Sequence, residues 1–451
     1  MQGDGKAFQP SEIIDFTVER SRHERLFGRE KVFEDLDGFL LGEGSSRGWA
    51  LVTGGPGMGK SAILSHYLDR LEKEKHTCAY HFLRRGFENS NRPDVVIRCL
   101  SAQIERIFEQ QYDPETRPES RLINLLTKVS KEILVRQKRR LILVIDGLDE
   151  AEGHEGEENP LPRFLPYELP KSVFILCASR PAYPHLAWVE NHDKVHRIDL
   201  DDARWSGSNE QACLEFWTYH AARFKPGLSL EFVNRAVECA EGNLLHAVKL
   251  REWLSDQPPE ERRVELIPRG LAGFIEQIWQ QLESLPSDVF KLVTEGLGLL
   301  CAAKEALPLS VLEGLLGWSD LQPGSRFLKA VRPFLLEHPK HWEGQEAYRP
   351  YHESFREFVI GKLGPVRIRL HHKRLADSLA AWPCLDGSDT FRYGYALRHA
   401  VAHRLEARDW NGVRKLCTDL SYLQAKCRKL DVFSVEEDLR SAGEGETDAN
   451  R

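Results

Sequence analysis

The sequence predicts a doubly wound α/β domain followed by largely helical modules. Three observations carry that expectation. Short, nearly all-apolar runs alternate with helical text between Trp49 and Leu200; a glycine-rich segment separates the first run from the helix after it; and beyond Leu200 the apolar residues fall at helical spacing. Apolar strands joined through helices imply a parallel sheet covered on both faces. Such a domain takes roughly 180 residues here.

Residues 1–25 are polar and mixed, and read as a leader or linker with one short helix. "GWALVTG" reads as a strand, "SAILSHYLDRLEKE" as an amphipathic helix and "TCAYHFL" as a second strand. "DVVIRCLSAQIERIFEQQ" is a further helix, which "YDPETRPES" breaks before "RLINLLTKVSKEILVRQ". The strands "RLILVID", "SVFILCAS" and "VHRIDL" follow, each bounded by turn residues or charges. After them "NEQACLEFWTYHAARF", "LEFVNRAVECA", "NLLHAVKLREWL" and "GFIEQIWQQLESL" read as helices. Between Pro286 and Lys362 short helices precede "RPFLLEH" and "AYRPYHES", a candidate hairpin, and three helices with a hairpin suit a winged helix. From Leu363 the text is helical again, and "SAGEGETDANR" reads as a disordered tail.

Composition narrows the function classes. In 451 residues, 41% are hydrophobic and 29% charged, the balance of a soluble globular chain. Lys plus Arg number 62 against 69 Asp plus Glu, and the net charge of -7 argues against a dedicated nucleic-acid binder. Nine scattered cysteines without a C-x-x-C pair suit a reducing cytoplasm better than a disulfide framework. The opening lacks a signal-peptide core, and "GLGLLCAA" is too short to span a bilayer, so a cytoplasmic protein without a membrane partner is expected.

The stretch "LVTGGPGMGKSAIL" fits G-x-x-x-x-G-K-[ST], the phosphate-binding P-loop, at Gly54, Gly59, Lys60 and Ser61. Its glycines let successive N–H groups turn into one concavity, and the following helix adds its positive end. Gly54, Gly55, Pro56, Gly57, Met58, Gly59, Lys60, Ser61 and Ala62 are therefore the expected cradle of a nucleotide, ATP or ADP. Lys60 suits the β- and γ-phosphates and Ser61 a Mg²⁺ ion. "RLILVIDGLDEA" ends a strand on Asp146, the acid expected to hold the Mg²⁺ water shell. Glu150, then Asp149, are the candidates to orient attacking water. In "VFILCASRP" the strand is expected beside that of Asp146, which brings Arg180 to the carboxyl edge to sense a γ-phosphate or to pair with a loop carboxylate.

Taken together these segments resemble the NACHT branch of the STAND class of P-loop NTPases. "RLFGRE", Arg25 to Glu30, is similar to the box that lies over the adenine in that family, which implies nucleotide contacts for Phe27, Gly28 and Arg29. "EGNLLHA" resembles its helical-lid motif, without the proline common in related branches. "YHESFREFV" resembles its bacterial winged-helix signature, implying that His352 faces the phosphates, and "YALRHAVAHRLEARDW" resembles the helical segment that follows. The implied organisation is a leader (1–25), a NACHT-like P-loop NTPase (26–205), an all-α helical lid (206–285), a winged helix (286–362), a C-terminal helical domain (363–440) and a disordered tail (441–451). The resemblance further implies a slow ATPase switch in defence or stress signalling. ADP would close it; ATP would open it for self-oligomerisation. No effector precedes Leu26 and no repeat array follows residue 440, so an excised core, or separate effector and sensor proteins, is expected.

Rival readings are an AAA+-like DNA-binding ATPase that uses the winged helix, and a scaffold that binds nucleotide without hydrolysis. His399 and His403 share a helix face at zinc-like spacing, but a packed or solvated helix face explains them better. "RQKRR" (Arg136–Arg140) suits a helix end, and "RIRLHHKR" (Arg367–Arg374) is the better candidate for DNA. Arg84 and Arg85 read as surface charges ahead of a finger for a neighbour's nucleotide.

Overall fold

The computed structural model describes residues 12–21, 25–85, 87, 89–111, 118–152, 159–318, 321–342, 345–385, 390–430 and 432–449. Two compact units divide the chain: Met1–Gly153 with Asn159–Gln277, and a second that runs from Ile278 to Arg451.

The first unit is built on five parallel strands: β1 (Gly48–Thr53), β2 (Thr77–Phe82), β3 (Leu141–Asp146), β4 (Val173–Ser179) and β5 (Val195–Asp199). Their order is β2-β3-β4-β1-β5. The strand of Arg180 does lie beside that of Asp146. All residues of β1, β3 and β4 are buried, whereas the edge strand β5 is mostly half-buried. Central strands covered twice need apolar side chains on both faces, which is why they read as unbroken apolar runs.

Alternate residues feed two cores. Trp49, Leu51, Leu143, Ile145 and Ile175 face the helices Pro93–Ile107 and Pro118–Val129 through Val96, Leu100, Leu122 and Leu126. Ala50, Val52, Ile142, Val144 and Leu176 face the helices Glu30–Leu40 and Lys60–Lys73 through Leu36, Ile63 and Leu68. This is the doubly wound α/β layering the sequence predicts. Register then sets the functional edge. Thr53 pairs with Ser179 and Asp199, and Phe82 with Asp146, so the strand ends align and everything that follows them opens on one rim.

One expectation about the ends differs from what is observed. Residues Thr17–Ser21 form the short helix expected near the start, and just before it Ile14 and Phe16 are buried, with the Phe16 ring 5.1 Å from that of His81 and 5.4 Å from that of Phe82. Lone aromatics in polar text carry no periodicity, so this docking is invisible in the sequence. At the other end a helix runs Val432–Ala449, through most of the segment expected to be disordered. Val435 and Asp438 are buried near its start, and a helix nucleated there extends into weak formers such as Gly443 at small cost per residue. Residues 1–11, 22–24, part of the "YDPETRPES" break and 450–451 lie outside the described residues.

In the second unit the helix Ser287–Ala302, strand β6 (Leu307–Pro308), helices Leu309–Leu316 and Leu321–Val331 and strands β7 (Leu335–Trp342) and β8 (Gln345–Pro350) follow one another. The strands form an antiparallel sheet in the order β6-β8-β7. The hairpin thus falls where the sequence places it. Helices Glu353–Leu379, Thr390–Glu406, Trp410–Thr418 and Leu420–Lys429 follow, the first broken at Gly364, where φ is 77°, just before Pro365.

The i, i+4 histidines are core groups with separate partners. His399 Nε2 lies 2.6 Å from Glu305 Oε1, while His403 sits 2.9 Å from both His372 Nδ1 and the Tyr395 hydroxyl. Burial pushes His372 down to about 4, and burial with repulsion from its histidine neighbours holds His403 well below the ordinary value. The unfolded chain therefore takes up protons first as the pH falls below about 6.5. Stability is full above that pH and declines from there toward pH 4. Between pH 7 and 5 the expected loss is about 2 kcal/mol for His372 alone. Urea midpoints at these two pH values check it, and a flat profile would refute it.

Candidate functional site

The rim above the strand ends collects the expected P-loop residues, Asp146, Asp149, Glu150 and Arg180 within the first unit. Gly57 and Gly59 adopt φ of 83° and 88°, a left-handed backbone that only glycine holds without strain, and Gly59 opens the helix Lys60–Lys73. The N–H groups of that helix's first turn have no acceptor within the helix. A face of such groups can accept an anion. The Lys60 ammonium folds back on the loop, donating to the carbonyls of Gly54 at 2.6 Å and Gly55 at 3.0 Å. Burial pulls its pKa below the ordinary lysine value, with Asp149 and Asp146 opposing the shift.

Three contacts unseen in the sequence brace this loop. Asp201, just beyond β5, accepts from the Gly55 amide at 2.8 Å. Asn243 donates to the Pro56 carbonyl at 2.7 Å, and the Leu245 amide to the Gly57 carbonyl at 3.2 Å. Asn243 also caps the helix Leu244–Ser255. "EGNLLHA" therefore binds the loop through its backbone and one amide side chain.

The "RLFGRE" box lies beside the loop as well. Arg29 is 1% exposed and donates to the Asn209 side chain and, at 3.0 Å, to the Met58 carbonyl. Gly28 binds Glu215 through its amide and Ser208 through its carbonyl. Phe27 packs edge-on to Phe216 at 5.6 Å. These side chains tie the box to the helix Ser206–Ala221.

Across the rim, Asp149 grips Arg180, accepting from its amide at 3.0 Å and from its Nε at 3.2 Å. Of the two roles open to Arg180, pairing with a loop carboxylate is the one present. Glu150 accepts from Arg84 Nη1 at 3.2 Å and from the Arg85 amide at 3.0 Å. Arg84 is no surface charge: it is 8% exposed and also reaches Ser61 Oγ at 3.0 Å and the Asp146 carboxylate. Phe82 pairs with Asp146 and the Leu83 amide bonds the Asp146 carbonyl, and that register delivers residue 84 to the acid. A charge at the end of a strand that neighbours the acid's strand is the one signal for it in the sequence.

Ser61, Asp146 and Glu150 offer the hard oxygen donors Mg²⁺ prefers, and one guanidinium already gathers all three. The donor set fits the ion. Among the described residues no group of three or more His, Cys, Asp or Glu is arranged to hold a metal.

His352 belongs to the second unit. There it caps the helix Glu353–Leu379, its Nδ1 3.1 Å from the Ser354 amide. Arg139 binds Thr77, and Arg140 binds the Leu40 and Gly42 carbonyls, so half of the basic run "RQKRR" is spent inside the fold. No helix among the described residues is long and apolar enough to cross a membrane.

Residues 38–180 match the family "Nephrocystin 3, N-terminal". Over 111 residues, 23% of this chain, the sequence is 24% identical to nephrocystin-3 of Xenopus laevis. The match spans 8% of that relative's length. Among solved structures, the chain is similar to the Aeropyrum pernix ORC1 protein in complex with DNA: 16% identity, 75% of this chain and 94% of that one, TM-score 0.35. Drosophila ORC bound to DNA gives 12% identity, 74% and 95% coverage and a TM-score of 0.35. The Aeropyrum pernix ORC2 protein gives 14%, 79% and 96%, and 0.32.

Proposed function

We propose that this protein is an ATP-binding signalling NTPase of the STAND/NACHT type, a nucleotide-dependent switch that hydrolyses ATP slowly. The observation that carries the reading is the convergence of Lys60, Ser61, Asp146 and Glu150 on one rim beside a left-handed glycine loop. Loop amides and Lys60 bind the phosphates. Ser61 and Asp146 hold Mg²⁺, which when bound neutralises charge on the phosphate oxygens. Glu150 orients water and accepts its proton on a carboxylate oxygen. Arg180, released from Asp149, reports the γ-phosphate.

The direct bonds from Asn243 and Leu245 to loop carbonyls support residues 206–285 as a lid, because a shift of the loop moves the helix they begin. The helix–strand–helix–helix–hairpin order supports a winged helix over 286–362, with a helical domain at 363–440. The switch needs the closed and open shapes to differ in affinity for ADP and ATP. We place it in the cytoplasm, self-assembling on activation, with effector and sensor supplied by other segments or proteins.

The test is to denature the purified protein, identify released nucleotide by chromatography, and compare particle size with ADP and with a non-hydrolysable ATP analogue. Bound adenine nucleotide and larger particles with the ATP analogue are expected; no bound nucleotide and no affinity for either would end the reading. Glu150→Gln is expected to keep ATP affinity within about twofold and to lower steady-state hydrolysis about a hundredfold. Phosphate release and equilibrium binding on the same preparation check both halves.

A further inference from the structure

Arg84 is fixed at its backbone and extended at its side chain. Its amide donates to Ser90 Oγ at 3.1 Å and its carbonyl accepts from the same hydroxyl at 3.2 Å, with Ser90 fully buried. Beyond Cβ the chain crosses to Ser61, Asp146 and Glu150, and closes on the Leu83 carbonyl at 2.7 Å. Gly147 makes the room: it turns at φ 81°, and a Cβ added there would lie 2.7 Å from Arg84 Nη1.

One hydroxyl and two carboxylates are thus shared out to a forked, delocalised cation. The same oxygens suit a divalent ion held as a point charge. Asp146 is 1% exposed, so it needs a positive partner at all times. Two cations cannot use its oxygens together without strong repulsion at this separation. With the backbone held by Ser90, rotation about side-chain bonds is enough to carry the guanidinium away.

We propose that Arg84 is a built-in counter-ion of the metal corner and competes with the divalent cation for Ser61 and Asp146. The guanidinium must leave those two oxygens before the metal takes them. Asp146 thereby keeps a positive partner in either condition, and arginine withdrawal becomes a required step of metal-dependent nucleotide binding. The inference rests on the reading above for the purpose of the metal; the competition itself needs only the three oxygens and the arginine.

Mn²⁺ titration of the full chain without nucleotide, followed by the electron paramagnetic resonance of the free ion, reads the competition directly. Arg84→Met keeps the bulk and removes the charge, and is expected to bind Mn²⁺ about tenfold or more tightly than the wild type. Adding Asp146→Asn should erase the gain, and Mg²⁺ should raise the melting temperature of Arg84→Met by more than that of the wild type. Arg84→Lys, which keeps one charge but cannot fork, is expected to gain by a smaller factor and serves if Arg84→Met does not fold. Equal or weaker Mn²⁺ binding in the folded variants overturns the proposal. A wild type that fails to bind a fluorescent ADP analogue would instead overturn the nucleotide reading, and the Mn²⁺ comparison would still stand.

Discussion

Replacing Asp146 with alanine is expected to lower the stability of the first unit by about 3–5 kcal/mol, the cost of leaving a buried cation without its partner. The reason is local. The Arg84 side chain is 10% exposed and that of Asp146 2%, so water cannot replace the lost carboxylate. Burial works against the arginine's charge, and Asp146 followed by Glu150 more than offset it, which holds its pKa above the ordinary value. Glu150 and the Leu83 carbonyl remain as partners, which places the loss toward the lower end of that range. Asp146→Asn keeps an acceptor and should cost less. The decisive measurement is a double-mutant cycle by urea denaturation. Arg84→Met combined with Asp146→Ala should be more stable than Asp146→Ala alone, because the second change removes the stranded charge. Additive losses would show that the pair is not coupled.

That pair also marks where the sequence stops being legible. The strands could be read because burial on both faces demands unbroken apolar runs, and "GWALVT", "LILVID" and "VFILCAS" supply them. The P-loop could be read because glycine at Gly57 and Gly59 answers a local backbone demand, written into the sequence wherever the loop folds. Arg84 could not, because its place depends on which residue of β2 faces Asp146 across 62 positions of chain. The same holds for Asp201, 146 positions from the amide it accepts from, and Asn243, 187 positions from the carbonyl it serves. His399 and His403 share a helix face as their spacing requires, yet their partners Glu305 and His372 lie on other elements, and those partners decide that the face is a core. Local demands print themselves in the text; distant pairings leave only residue types that would suit many places.

Lys60→Ala is expected to weaken nucleotide binding about a thousandfold, as two charge-assisted contacts of roughly 1.5–3 kcal/mol each are lost. The fold should tolerate it. Lys60 donates to the carbonyls of Gly54 and Gly55, but the loop keeps its bonds to Asp201, Asn243 and Arg29 on three other sides. Burial already pulls the ammonium below its ordinary pKa, so its removal also relieves a desolvated charge. Melting temperature is therefore expected to stay near that of the wild type while affinity for a fluorescent ADP analogue collapses. Asp146→Ala is expected to behave in the opposite way: Asp146 holds the fold by balancing Arg84, whereas Lys60 is expected to hold a ligand by leaving the two carbonyls it now binds. Unaltered affinity in a folded Lys60→Ala protein would mean that the glycine loop binds no phosphate. A loss of fold in Lys60→Ala would mean that the ammonium is structural and that the braces from Asp201 and Asn243 are not enough.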